Sequence, residues 1–115
     1  MTAYGLAHLR PAGVLAEEVF EYMERIQATL DPFGGRFLVH GAEVQVLEGE
    51  WPGSLVLIEF PSGDAAREWY GSPAYREILH LRADHIPGDL ILVEGCGADH
   101  DSAALAAGLR ALQNA

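Results

Sequence analysis

An α+β fold of order β-α-β-β-α-β is predicted for this chain by three observations. Short, strand-like apolar segments occupy residues 3–9, 36–48, 54–60 and 89–94. Residues 14–30 and 63–83 instead read as helix. Pro and Gly punctuation separates most neighbouring segments. Two split β-α-β units in this order give an antiparallel sheet with its helices on one face, the ferredoxin-like arrangement. The length agrees, because 115 residues of which half are apolar suit a single core.

Residues 3–9 are short and bounded by Arg10-Pro11, which makes a first strand with Tyr4, Leu6 and His8 on one face. From residue 14 to residue 30, Leu15, Val19, Tyr22, Met23, Ile26 and Leu30 recur at steps of three and four. Glu17, Glu18, Glu21, Glu24 and Arg25 fill the opposite side. This amphipathic helix stops at Asp31-Pro32. Gly34-Gly35 is a turn, followed by a strand over 36–40; Gly41-Ala42 interrupts it, and Val44 and Val46 resume the alternation over 43–48. A loop at 49–53 leads into 54–60, the most strand-like segment of the chain. Ser62 caps a helix over 63–70, and Ser72-Pro73 starts another over 74–83. After Pro87-Gly88, residues 89–94 form the last strand. Residues 1–97 thus make one domain and 98–115 a C-terminal extension. Leu105, Leu109 and Leu112 give that extension a short helix with a poor fit to any core.

The strands are too apolar for a sheet with one wet face. Leu55 and Leu57 oppose Val56, Ile58 and Phe60, and Leu90 and Leu92 oppose Ile91 and Val93. Helices cover one face only, so the other needs a second copy, and a homodimer packed sheet against sheet is expected. The thirteen residues 36–48 also outreach the seven of 54–60. A bulge at Gly41-Ala42 that redirects the overhang toward the partner satisfies its backbone.

Composition narrows the function. With 17 acidic and 7 basic residues the chain carries −10, which disfavours nucleic acid. All seven basic residues are Arg; without Lys there is no lysine Schiff base and no phosphate-loop lysine. Cys96 stands alone, so neither an intrachain disulfide nor a thiolate cluster forms. Residues 1–13 lack the basic and apolar regions of a signal peptide, and no stretch is long enough to span a bilayer, so a cytoplasmic protein without a membrane role is expected.

Several motifs in order carry a family resemblance. They are Gly34-Gly35-Arg36-Phe37-Leu38-Val39-His40-Gly41, Glu48-Gly49-x-Trp51, Ile58-Glu59-Phe60-Pro61-Ser62, Trp69-Tyr70-x-Ser72-Pro73-x-Tyr75, and Arg82. Over about residues 2–97 the chain resembles the family known as domain of unknown function 1330, within the dimeric α+β-barrel superfamily. The resemblance implies the ferredoxin-like fold and the face-to-face dimer. The family has no established activity. The superfamily includes cofactor-independent monooxygenases, lactone isomerases, haem-degrading enzymes and haem peroxidase-like members, whose sites lie between sheet and helices. The haem-degrading members use an Asn-Trp-His set; the only Asn here is Asn114, so no haem and no other cofactor is expected.

The residues themselves offer a few candidates. Arg36 and His40 share parity on one strand, so both are expected on one face, Arg36 to hold a carboxylate or enolate and His40 to move a proton. An ion pair between Arg36 and Glu59 is the commoner use of such residues. Glu59, ending the most apolar strand, is the other candidate acid or base. Tyr4, Trp69, Tyr70 and Tyr75 either wall an aromatic pocket or pack the core. Arg82 either reaches an anion at the cleft, pairs with Asp84, or complements the helix end. His80, Asp84 and His85, with Asp99-His100-Asp101 further on, show no three-ligand pattern, so no metal is expected. No serine lies in a nucleophile elbow. Two functions stay open. One is a cofactor-free enzyme acting on a small aromatic or anionic compound, with Arg36, Arg82, Tyr4, Trp69 and Tyr70 binding it and His40 or Glu59 moving the proton. The other is a non-catalytic ligand-binding or interaction domain.

Overall fold

The computed structural model describes all residues, Met1–Ala115. Strands β1 (Ala3–Leu9), β2 (Arg36–His40), β3 (Ser54–Phe60) and β4 (Gly88–Glu94) form one antiparallel sheet in the order β2-β3-β1-β4. Helix α1 (Glu17–Leu30) connects β1 to β2, while α2 (Gly63–Tyr70) and α3 (Pro73–Ala83) connect β3 to β4. Each crossover brackets a strand from the other half, which is the ferredoxin-like topology. Helix α4 (Ser102–Gln113) follows and buries none of its residues.

Local chemistry sets the ends of these elements. Glu17 and Glu18 lie in the first turn of α1, where carboxylates oppose the positive end of the helix. At its other end a single 3-10 turn, Asp31–Phe33, carries Pro32 and closes on Gly34 at φ +70°, a conformation that favours glycine. Gly35 is required for a different reason. A Cβ there would lie 2.8 Å from the Phe60 ring and 2.9 Å from Leu30. Ser62 accepts from the Ala65 amide to cap α2, and Ser72 accepts from the Tyr75 amide to cap α3, with Pro73 at its first position.

The core lies where the three helices meet the inner face of the sheet. Leu30, Phe60, Trp69, Tyr75 and Ile78 are its largest fully buried side chains. The Trp69 ring sits 5.4 Å from Phe60 and 4.2 Å from Tyr75. Its indole N–H donates to Thr29 Oγ1 at 3.0 Å, and the Thr29 hydroxyl donates in turn to the Ile26 carbonyl at 2.7 Å. That chain satisfies the one polar atom that Trp69 takes into the core.

Two expectations change. The alternation over residues 43–48 does not become a strand: β2 ends at His40 and residues 41–53 form a loop. The neighbouring strand β3 spans only Ser54–Phe60, so within one subunit the segment finds no backbone to pair with. Arg36 and His40 also do not share a face. The register slips between Phe37 and Val39, leaving Leu38 as an extra residue. Arg36 stays opposite Glu59, whereas His40 lies opposite Val56 and stacks on Phe37 with ring centroids 4.2 Å apart.

Thr29→Val is expected to cost about 1–3 kcal/mol, because it strands the buried indole N–H. In a Trp69→Phe background the same change should cost little. Urea unfolding of the four proteins of this cycle measures the difference, and equal costs in both backgrounds would rule out the hydrogen bond as the cause.

Candidate functional site

The inner face of β1 presents three small residues, Ala3, Gly5 and Ala7, before Leu9 at the end of the strand. Around Ala7 the helices cannot close on the sheet, and a cavity of about 190 Å³ remains. Its walls are mostly apolar, with Val56, Ile58 and Leu90 from the sheet and Val19, Met23 and Ile26 from α1. Burial gives it two ends. Ile58, Trp69 and Tyr75 are almost inaccessible and form the inner end, whereas Pro11, His40 and Gly41 are exposed and form the mouth.

Polar groups gather where α1 and α3 meet. The hydroxyls of Tyr22 and Tyr75 lie 2.9 Å apart, and Arg82 Nη2 reaches Tyr75 Oη at 3.5 Å, the long limit of a hydrogen bond. The Arg82 guanidinium also lies 5.5 Å from the centre of the Tyr22 ring, within range of a cation–π contact. Burial, reinforced by the adjacent Tyr75, pushes the Tyr22 phenol well above its ordinary pKa; Arg82 opposes this only in part. For Arg82 burial works against the cation, but the hydrogen bond to Tyr75 and the neighbouring phenols outweigh it and hold its pKa above the usual value.

Donors are in excess here. Arg10, Arg25, Arg36 and Arg67 each hold a carboxylate, and Arg76 lies 4.4 Å over the Tyr70 ring. Half-buried Arg82 has no carboxylate partner, neither Asp84 nor any other. The two tyrosines share one hydroxyl hydrogen between them, so the second has no acceptor in the protein. A guanidinium and a free hydroxyl bordering one apolar cavity suit an anionic oxygen.

Of the residues singled out from the sequence, His40, Trp69, Tyr75 and Arg82 line this cavity. Arg36, Glu59, Tyr4 and Tyr70 do not. Arg36 Nε donates to Glu59 at 2.9 Å on the outer face, so each satisfies the other away from the cavity. Tyr4 faces outward beside them, opposite Glu59 and Val93, and borders a shallow groove with Pro61 and Gly95. Tyr70 packs against the back of the aromatic cluster, 6.2 Å from Trp69 and 5.6 Å from Tyr75. No three His, Cys, Asp or Glu side chains converge on a point that would hold a metal ion. Tyr22 escaped notice because it reads as one more apolar position of α1. The signal that marks the cavity is the small triplet Ala3, Gly5 and Ala7 at alternate positions of β1.

The fold and this cavity define a ferredoxin-like α+β protein with a chamber between sheet and helices. The chain belongs to the family described as domain of unknown function (DUF1330), whose model matches residues 2–96 and ends before α4. Comparison with the curated proteins finds no match. Among solved structures, it is similar to a protein of unknown function from Rhodopseudomonas palustris, at 22% identity and TM-score 0.65 over 84% of each chain. It is also similar to a variant of SnoaB, a cofactor-independent oxygenase from Streptomyces nogalater. That match is 14% identical with TM-score 0.60, over 87% of this chain and 98% of the other. A dimeric ferredoxin-like protein of unknown function from Jannaschia sp. matches at 17% identity and TM-score 0.54, over 83% of this chain and all of the other. At these identities the likeness establishes the fold. No helix is long and apolar enough to cross a membrane.

Alkaline stability tests the tyrosine pair. A phenol whose folded pKa is raised stays neutral where the unfolded chain's phenol ionises. Its stabilising contribution is therefore complete below about pH 10 and lost as pH rises beyond it. Tyr22→Phe should flatten that loss by up to about 1.4 kcal/mol per pH unit, read from urea unfolding on both sides of pH 10. Equal slopes in the two proteins would contradict the burial of a neutral phenol.

Proposed function

We propose that this protein is a cofactor-independent enzyme acting on a small aromatic or anionic metabolite in the cavity between sheet and helices. The observation that supports it is one apolar chamber with half-buried Arg82, lacking a carboxylate partner, on its wall and a histidine at its mouth. Arg82 and Tyr75 hold a substrate oxyanion, while Trp69 and Ile58 wall off water. His40, held flat against Phe37, removes a proton from the substrate and returns one. Glu59, held by Arg36 outside the chamber, takes no part.

Proton removal leaves an enolate or phenolate whose charge rests on Arg82. In an isomerase, His40 gives the proton back at a different carbon. In an oxygenase, that carbon donates its electron pair to dioxygen and the peroxide takes the proton. Loss of water then leaves a carbonyl. One oxygen atom enters product, the other enters water, and the substrate supplies all four electrons. The oxygenase from Streptomyces nogalater shares the fold and is described as cofactor-independent, which favours this form. Oxygen uptake and product mass, measured across substituted phenols and enolisable carbonyl compounds, test the reading. Turnover is expected in the wild type and about a hundredfold less in His40→Ala, with ligand-induced thermal stabilisation unchanged. A compound that binds but is recovered unaltered with and without air would leave a non-catalytic binding domain.

The subunit acts as a homodimer, packed through the outer face of the sheet. Ile91 and Val93 are half exposed there and Leu38 lies at the edge, while His8 Nε2 and Trp51 Nε1 are buried with no hydrogen-bond partner in one subunit. The related structure from Jannaschia sp. is described as dimeric. Sedimentation velocity should find a dimer for the wild type and a folded monomer for Ile91→Arg. A monomeric wild type at micromolar concentration would refute the assembly.

A further inference from the structure

We propose that the chamber takes a single-ring aromatic monoanion, bound with its oxyanion against Arg82 and Tyr75 and the opposite edge of the ring toward His40. The inference rests on the reading of the cavity as a ligand site and specifies what fits it.

Size comes first. An apolar cavity of about 150 Å³ holds one benzene molecule. At about 190 Å³ this one encloses a ring and a substituent or two, and a fused tricycle would project through the mouth away from the apolar walls. Charge comes second. Apart from Tyr22, Tyr75, Arg82 and His40, the lining offers little polarity beyond Ser54 and the Trp69 indole N–H, and the latter is already committed to Thr29. One cation without a counterion calls for one negative charge, and a second would be buried unpaired. Direction follows from the burial gradient. Tyr75, which Arg82 contacts, is wholly buried at the inner end, while His40, Gly41 and Pro11 are exposed at the mouth. A ligand entering with its anion first leaves its far edge beside the imidazole. That edge is para to the oxyanion, so the atom whose deprotonation forms the oxyanion, or whose protonation quenches it, is the para carbon or a group attached to it.

Isothermal titration with benzoate, benzamide, phthalate and 9-anthracenecarboxylate separates these claims. Benzoate is expected to bind at least tenfold tighter than benzamide and phthalate, with no binding of the anthracene acid. Arg82→Gln should bring benzoate down to the affinity of benzamide while leaving benzamide unchanged. For 4-methylbenzoate, nuclear Overhauser contacts from the methyl group should reach His40 and Pro11. Contacts to Trp69 and Tyr75 instead would reverse the orientation. Benzamide equal to benzoate would overturn the charge assignment, and tight binding of the anthracene acid would overturn the size. If none of the four binds, and a broad library of neutral and anionic small molecules gives no thermal shift either, the cavity is not a ligand site and the functional reading falls with it. A ligand of another class found in that library would overturn only this inference.

Discussion

The inner face of β1 constrains everything above it. A central strand normally offers the helices large side chains along its length, and until Leu9 at its end this one offers two methyl groups and a hydrogen at Ala3, Gly5 and Ala7. Bulk must come from elsewhere, and it comes from Leu30, Phe60, Trp69 and Ile78. The helices are propped on that cluster and stand clear of the sheet over Ala7. The result is a dense half of the core that supplies stability and a hollow half that supplies a chamber.

The same geometry sorts the charges. Acidic residues crowd the solvent face of α1, and Arg10, Arg25, Arg36, Arg67 and Arg76 are absorbed by carboxylates or an aromatic ring. Arg82 is the exception because it leaves α3 on the side of the chamber, where α1 presents Tyr22 rather than a carboxylate. Its neighbours are phenols, which solvate a cation without neutralising it. Positive potential therefore survives inside a protein whose net charge is −10.

Strand and helix order were legible from periodicity and from Pro and Gly punctuation, since those patterns report which face of each element is dry. The apolar second face of the sheet was legible for the same reason. The site was legible only in part. His40, Trp69, Tyr75 and Arg82 could be singled out by residue type, but Arg36 and Glu59 satisfy each other on the far side of the sheet. Parity counting placed His40 wrongly because it assumes an unbroken pleat, and nothing in Phe37-Leu38-Val39 announces an extra residue. Tyr22 was hidden because its ring belongs to the apolar stripe and only its oxygen belongs to the site. The chamber itself is a property of residues that are too small, and absence of bulk leaves a faint trace in a sequence.

The irregularity at Leu38 has a consequence for how this protein can change over time. In a regular strand, Arg36 and His40 would project to one face with Leu38 between them, and both would serve the same surface. The extra residue places them on opposite sides of a layer one residue thick. Substitutions that tune the outer surface and substitutions that tune the chamber are thereby mechanically insulated. Within one short strand, the two surfaces are free to drift at different rates under different selection.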